Sequence, residues 1–187
     1  EAFDALLAST AQPDARVRKQ VVSDLGGFYK TESRDAALAT LDGEQNPDIV
    51  GVALGSLGKY GDGGLRELLR GYLASESYRN RLAVTAIGTI RTLDDPAYIE
   101  LLRDTLTTRG DDLRTGGLGT GLRALGYLAR NEEDKEGVRA FLTSYVQDLR
   151  RGVRIAAIDA LGELRDPRGV GAVQTFTGDK IDGGVRR

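Results

Sequence analysis

A cassette of roughly constant length recurs along the chain and constrains its fold more than any other feature. Each copy carries a glycine after a run of aliphatic residues, and these anchor glycines are Gly26, Gly58, Gly88, Gly126 and Gly162. They lie 32, 30, 38 and 36 residues apart, which are intervals typical of two-helix repeats. Two short helices cannot bury their apolar faces alone, so the copies are expected to stack on one another.

The residues around each anchor glycine form columns of matching type. Branched aliphatic residues stand four before it (Val22, Leu54, Val84, Leu122, Ile158) and one before it (Leu25, Leu57, Ile87, Leu125, Leu161). Mostly small residues stand five before it (Val21, Ala53, Ala83, Gly121, Ala157), and large apolar residues stand two after it (Phe28, Tyr60, Ile90, Leu128, Leu164). This spacing marks one face of a helix. We therefore predict a first helix in each copy that buries all four columns and ends at the anchor glycine.

A second helix is predicted after each turn, at residues 33–41, 64–74, 96–107, 135–147 and 167–177. Asp95-Pro96 and Asp166-Pro167 mark two of these starts, because Asp caps free backbone amides and Pro is tolerated at the first helical position. Residues 2–9 are interpreted as the second helix of an earlier copy, and Val185-Arg186 repeats the Val17-Arg18 opening of a first helix.

The predicted fold class is therefore all-α, a right-handed α-α superhelix of about five two-helix repeats. It forms a single domain over residues 1–187, with repeats near 12–43, 44–76, 77–109, 110–149 and 150–180 and partial repeats at both ends.

The composition excludes several classes of site. The chain has no Cys and no His, so disulfides, thiolate or imidazole chemistry and the usual zinc ligands are excluded. Lys and Arg number 26 against 28 acidic residues, a net charge of -2, which lacks the basic footprint of a nucleic-acid binder. Its apolar runs are far shorter than a membrane-spanning helix needs. We expect a soluble chain with no catalytic constellation, no cofactor and no nucleic-acid or membrane partner.

The chain begins at Glu1 and contains no Met. We therefore expect it to be a fragment of a longer protein, with any targeting signal outside it. The cellular compartment stays open.

The segment Asp14-Ala15-Arg16-Val17-Arg18 and the stretch from Val153 to Pro167 resemble HEAT-like repeats of the phycobilisome-lyase type. The resemblance implies a non-catalytic superhelix used for binding. A narrower pattern, Val17-Arg18, Val21-Val22 and Leu25-Gly26 followed by a consensus-like last repeat, resembles the C-terminal HEAT-like domain of bacterial zinc aminopeptidases of the aminopeptidase N family. In that family the HExxH and GxMEN motifs lie upstream in another domain. This resemblance implies a role in capping or shaping access to a catalytic chamber, and it transfers no catalytic residue.

Four arginines are the candidate binding residues. A solenoid presents a concave surface lined by its second helices, and alignment of those helices places Arg66 level with Arg139 and Arg70 level with Arg103. Such an arginine ladder suits a carboxylate or an acidic peptide segment, held by paired hydrogen bonds. The alternative is an ordinary solvated surface on which Glu67, Glu100 and Asp104 neutralise the arginines.

Other motifs have simpler interpretations as turns or packing features. Gly116, Gly117, Gly119 and Gly121 fall in a predicted helix, where each costs about 1 kcal/mol relative to Ala, so we expect either a hinge or backbone groove, or tight helix stacking. Turns or loops also account for the three remaining motifs: an adhesion-type tripeptide (Arg109-Gly110-Asp111), an acidic run that could attract a cation (Glu132-Glu133-Asp134), and a glycine-rich run without the Lys of a phosphate loop (Gly61-Asp62-Gly63-Gly64).

Three functions follow from the sequence. The first is a protein-interaction or access-shaping domain attached to an enzyme, foremost a zinc aminopeptidase. The second is a free-standing adaptor that binds a partner peptide or helix in its concave groove. The third, against which the net charge argues, is a nucleic-acid-binding helical repeat protein. The expected partner is a protein or peptide, including a catalytic domain of the same polypeptide.

Overall fold

A computed structural model describes residues 1–61, 64–171 and 174 of the chain. Ten α-helices and four short 3₁₀ turns have defined bounds among them, residues 170, 171 and 174 are also helical, and no described residue lies in a strand. The predicted all-α class is therefore confirmed for the described part of the chain. The chain divides into two compact units, Glu1–Leu93 and Asp94–Arg187. The boundary falls inside the predicted third repeat.

The first unit contains six helices: α1 (Ala2–Ala8), α2 (Ala15–Leu25), α3 (Thr31–Gly43), α4 (Pro47–Leu57), α5 (Leu65–Leu73) and α6 (Arg81–Leu93). Consecutive first helices pack on one another, α2 on α4 and α4 on α6, while α3 and α5 pack on the helices that follow them. The aliphatic columns form the core, since Leu54, Leu57 and Ile87 are completely buried. This arrangement matches the predicted alternation of first and second helices.

The second unit contains α7 (Ile99–Arg109), α8 (Thr115–Leu128), α9 (Glu136–Ser144) and α10 (Arg151–Leu164). The first helices α8 and α10 share the most extensive packing in this unit, and α9 contacts both of them. Leu122 and Leu125 of α8 and Ala156 and Ala160 of α10 are completely buried. Small residues on both helices, such as Gly126 and Ala160, allow the two backbones to lie close together.

The prediction that first helices end at the anchor glycine is correct for two repeats and wrong for three. Gly26 and Gly58 directly follow the last residues of α2 and α4. In contrast, Gly88, Gly126 and Gly162 lie inside α6, α8 and α10. Neither Gly26 nor Gly58 adopts the left-handed conformation for which a helix end usually requires glycine, because their φ angles are -62° and -58°. Ending the helix is therefore not the role that the five anchor glycines share.

Close approach between consecutive first helices explains three of the anchor glycines. A Cβ atom placed on Gly26 would lie 2.9 Å from Ser56 Cβ, and one on Gly58 would lie 2.8 Å from Thr92 Cβ. A Cβ on Gly126 would overlap the backbone carbonyl of Ala160. Ser56 and Ala160 occupy the same column, two residues before the next anchor glycine. These repeats thus preserve a helix-to-helix contact.

A Cβ atom placed on Gly88 or on Gly162 would have no neighbouring atom within 4 Å among the described residues.

The second helices agree with the prediction over most of their length. They are α3, α5, α7 and α9, within a few residues of the predicted ranges. The Asp95 carboxylate accepts a hydrogen bond of 2.9 Å from the Ala97 backbone N–H, and Asp166 accepts one of 3.1 Å from Arg168. The capping prediction is confirmed, although a 3₁₀ turn rather than an α-helix follows each cap.

Two predictions at the C-terminus lie wholly or partly outside the described residues. The last predicted second helix, 167–177, is described by the 3₁₀ turn Pro167–Gly169 and by helical residues at 170, 171 and 174. Val185-Arg186 falls beyond residue 174. At the other end, α1 confirms a helix over the predicted residues 2–9. Its place in an earlier repeat stays a prediction, as do the handedness and the number of repeats.

Candidate functional site

The two predicted ladder arginines of the first unit lie on α5. Arg70 Nε is 3.4 Å from Glu67 Oε2, one helical turn away, and its side chain is about half exposed. Arg66 is half-buried on the same helix. Glu67 therefore pairs with Arg70 as the neutralised-surface alternative expects.

The two predicted ladder arginines of the second unit also contact carboxylates. On α7, Arg103 Nη2 lies 2.5 Å from Glu100 Oε2. On α9, Arg139 Nη1 lies 2.7 Å from Asp166 Oδ2, and a weaker contact of 3.7 Å joins Arg139 to Glu136. Arg70, Arg103 and Arg139 are thus each engaged by a carboxylate of their own unit. The ladder as a whole, which needs members from both units, stays a prediction.

Arg139 has a structural partner that sequence reasoning did not find. The Asp166 side chain is only 3% exposed and also accepts a hydrogen bond of 3.0 Å from Arg168 Nε. The hydrogen bonds from Arg168 and Arg139 hold the pKa of Asp166 far below its ordinary value, although burial acts in the opposite direction. The Asp166-Pro167 motif indicated only a helix cap, because it contains no signal for a residue 27 positions away.

Two arginines at equivalent repeat positions fasten the turns that precede first helices. Arg18 Nη1 donates to the backbone carbonyls of Gln12 and Pro13, both at 2.9 Å. Arg154 Nη1 donates to the carbonyls of the two residues at the same offsets, Asp148 and Leu149, at 2.9 and 3.2 Å. Both arginines stand eight residues before an anchor glycine. The repeated Val-Arg pair therefore holds the turn between repeats.

An open groove of about 550 Å³ lies beside Arg18 in the first unit. Its lining includes small α3 residues, Ala36, Ala39 and Gly43, and the segment 10–13 between α1 and α2. The only two charged residues in its lining are Arg18 and Glu44, whose Nε and Oε2 atoms are 2.8 Å apart. The Arg18 hydrogen bond lowers the pKa of Glu44, which keeps the pair ionised. The groove thus has no uncompensated charge.

A second surface feature of the first unit is an aromatic patch formed by Phe3, Phe28, Tyr29 and Tyr60. The Tyr29 and Tyr60 rings stack with centroids 5.5 Å apart and an interplanar angle of 3°. The Phe3 and Phe28 rings meet edge to face at 5.0 Å. Tyr29 is 78% exposed and Phe28 is 36% exposed. This is a concentrated set of rings at the surface of a chain in which only 6% of residues are aromatic.

The large apolar residues two positions after each anchor glycine are predicted to be buried, and this prediction is wrong for Phe28. Ile90, Leu128 and Leu164 of that column are buried, because α6, α8 and α10 continue beyond the glycine. α2 and α4 end at the glycine, so helical periodicity no longer directs Phe28 and Tyr60 toward the core. Phe28 and Tyr60 are aromatic where the other repeats have aliphatic residues, and this difference in the sequence could have indicated a surface patch.

The glycine-rich run lies within α8, as predicted, and two of its glycines are in close contacts. A Cβ on Gly119 would lie 3.0 Å from Ala156 Cβ, and one on Gly121 would overlap the Leu106 side chain. Gly116, by contrast, faces open space. These contacts favour the tight-stacking interpretation for Gly119 and Gly121, while the hinge stays a prediction.

The adhesion-type tripeptide and the acidic run lie at ordinary turns and helix ends, and the glycine-rich run Gly61-Asp62-Gly63-Gly64 includes residues 62–63, which lie outside the described residues. Arg109 is the last residue of α7 and pairs with Asp112 at 3.6 Å, and the buried Gly110 keeps a helical φ of -57°. Asp134 accepts a hydrogen bond of 2.9 Å from the Glu136 backbone N–H. Within residues 1–61, 64–171 and 174, no three acidic side chains are grouped so that they could hold a metal ion. In the same ranges no helix has the length and apolar character to cross a membrane.

Comparison with known protein families finds a match to the C-terminal part of the chain. Residues 153–175 match the family model described as PBS lyase HEAT-like repeat. No curated protein matches the chain. The stretch includes most of α10 and the Asp166 cap, so the HEAT-like resemblance predicted from Val153 to Pro167 is confirmed there. The chain therefore contains a repeat similar to PBS lyase HEAT-like repeats.

Proposed function

We propose that this chain is a non-catalytic, HEAT-type protein-interaction domain, a right-handed superhelix of about five repeats that binds a peptide or helix of a partner protein. The HEAT-like match over residues 153–175 and the all-helical fold support an interaction scaffold. Repeated contacts between first helices, such as Gly26 with Ser56, support the repeat architecture. Stacked helical repeats are widely used as extended binding surfaces.

The groove beside Arg18 is the observation that carries the binding role. Its volume of about 550 Å³ lies in the range of ligand-binding clefts. Its α3 wall of Ala and Gly leaves room for a main chain, and the side-chain amides of Gln12 and Gln45 offer both donors and acceptors. Since Arg18 and Glu44 neutralise each other, the groove favours an uncharged stretch of peptide over a charged ligand.

The binding role is tested by filling the groove. Peptides are selected from a random phage-displayed library against the wild-type chain, and their dissociation constants are measured for Ala39→Arg and for Ala140→Arg. Ala39 lines the groove on α3, whereas Ala140 is an exposed alanine on α9. We expect Ala39→Arg to weaken binding about tenfold or more, because the long side chain occupies the cleft. Failure to select any peptide, or equal binding by both variants, would contradict the proposal.

We further propose that the chain is part of a zinc aminopeptidase, in which it shapes access to the catalytic chamber. This proposal is supported by the sequence resemblance carried by Val17-Arg18, Val21-Val22 and Leu25-Gly26. Reading the residues that precede Glu1 in the parent polypeptide tests it. An HExxH zinc motif is expected there, and a parent chain without one would favour the free-standing adaptor, which needs only the groove.

A further inference from the structure

We infer that the aromatic patch, Phe3, Phe28, Tyr29 and Tyr60, is a docking surface for a proline-containing, acidic segment of a partner protein. It lies around the C-terminal ends of α2 and α4, whereas the groove is lined by the segment 10–13, by Arg18 and Val22 of α2 and by the C-terminal part of α3. The two surfaces share no residue, so either inference can fail without the other.

The patch is rigid before any partner arrives. The Tyr60 hydroxyl donates a hydrogen bond of 2.7 Å to the Phe28 carbonyl, which ties the ends of α2 and α4 together. The Phe3 and Phe28 rings meet at an interplanar angle of 64°. Because these contacts restrain Phe3, Phe28 and Tyr60, docking on them loses little conformational entropy. Rigid aromatic side chains are also the commonest energetic centres of protein interfaces.

The outer face of Tyr29 is open to a partner. Tyr60 covers one face of the Tyr29 ring, yet Tyr29 remains 78% exposed, so its other face lies in solvent. Solvent-exposed aromatic clusters mark interaction sites, since leaving them in water is unfavourable. Proline rings stack well on such faces, and a proline-rich segment is already extended before it binds.

The charge beside the patch selects an acidic segment. The Lys30 ammonium lies 4.0 Å from the centroid of the Phe3 ring, and Lys59 Nζ donates a hydrogen bond of 2.6 Å to the Gly26 carbonyl. Among the described residues, neither lysine forms an ion pair with a carboxylate. A partner carboxylate would therefore meet an exposed, uncompensated cation at Lys30.

Stacked rings and lysines can also serve a single-stranded nucleic acid. A phosphate backbone needs a continuous basic track. The patch offers two lysines, Lys30 and Lys59, and the whole chain has a net charge of -2. The observations thus favour a protein segment.

The experiment is an NMR titration of the whole chain with capped pentapeptides, in which the Tyr29 and Tyr60 ring resonances are followed. The probe has three prolines between two aspartates. Matched peptides carry three alanines between aspartates or three prolines between lysines. We expect saturable shifts with the acidic proline peptide, and about tenfold weaker binding by each matched peptide.

Variants then assign the binding to the patch. Tyr29→Ala should weaken binding about tenfold, whereas Tyr29→Phe should retain it, because the ring face is preserved. Lys30→Glu should reverse the preference toward the lysine-flanked peptide. Tyr78→Ala is the matched control, since Tyr78 is another tyrosine of the first unit and is 72% exposed. Circular dichroism checks that each variant is folded.

Three results would overturn the inference. These are unchanged binding by Tyr29→Ala, equal binding of the alanine and proline peptides, and binding of a ten-nucleotide oligothymidine at the patch in place of the peptides.

Discussion

Individual residues of this chain are constrained mainly by charge compensation in partly buried positions, and Asp166 is the sharpest case. Its carboxylate is almost fully buried and holds Arg168 and Arg139 together at 3.0 and 2.7 Å. The pKa of Asp166 in the folded protein is therefore below its unfolded value near 3.9. A depressed folded pKa stabilises the protein above the unfolded pKa, and this stabilisation is lost as the pH falls toward the folded pKa.

We therefore expect Asp166→Asn to lower the melting temperature at pH 7. The difference from the wild type should shrink steadily as the pH is lowered below about 4. Thermal unfolding followed by circular dichroism over this pH range measures it. Asp159→Asn is the control, because Asp159 pairs with Arg123 at 3.1 Å but is about half exposed, and exposed pairs contribute little. A pH-independent deficit for Asp166→Asn would show that its ionisation does not stabilise the fold.

At the scale of the helices, the glycines of α8 differ in what surrounds them. These surroundings decide whether replacing a glycine by alanine raises or lowers the free energy of unfolding. Gly116 has no neighbour within 4 Å, so Gly116→Ala should raise the free energy of unfolding by about 0.5–1 kcal/mol through helix propensity. Gly126→Ala should lower it by about 1–3 kcal/mol, because the new methyl group meets the rigid backbone at Ala160. Urea unfolding of both variants measures the two effects.

Opposite signs would establish that α8 packs tightly against α10 at Gly126. Stabilisation by both substitutions would contradict the close approach of α8 and α10 at Gly126.

The helices also show how far sequence reasoning reaches. The aliphatic columns predicted the first helices and most of their buried residues, because burial on one face imposes the period that these columns show. The prediction that each first helix ends at its anchor glycine is wrong in three repeats for a physical reason. Glycine is favoured both at helix ends and where two backbones approach closely. This one ambiguity also hid the aromatic patch. Whether Phe28 faces the core depends on whether α2 continues past Gly26, and the sequence pattern is the same in either case.

The candidate sites were less predictable than the helices. The groove is lined by residues from α2, α3 and the segment 10–13, and no local sequence pattern encodes how these parts meet. The pairing of Arg139 with Asp166 joins residues from a second helix and a later cap. Arginines that align between repeats suggested a ligand, but alignment does not reveal which carboxylate of the chain lies within reach.

Across the described residues, many arginines are engaged by groups of the chain itself. Arg130 binds both carboxylate oxygens of Asp94 at 2.6 Å and stacks on Tyr127 at 3.7 Å. Arg18 and Arg154 bind turn carbonyls, and Arg139 binds Asp166. Many arginines thus support the fold. Binding to a partner should then depend on shape and aromatic surface more than on net charge.

The salt dependence of peptide binding tests this view. Peptides selected for the groove should change their dissociation constant by less than about twofold between 50 and 500 mM salt, because the Arg18 and Glu44 charges cancel there. The acidic proline peptide should weaken by about threefold to tenfold, because Lys30 is exposed to screening. Isothermal titration calorimetry at several salt concentrations measures both. Steep salt dependence for the groove peptides would contradict the neutral groove and favour the arginine ladder of Arg66, Arg70, Arg103 and Arg139 as the binding surface.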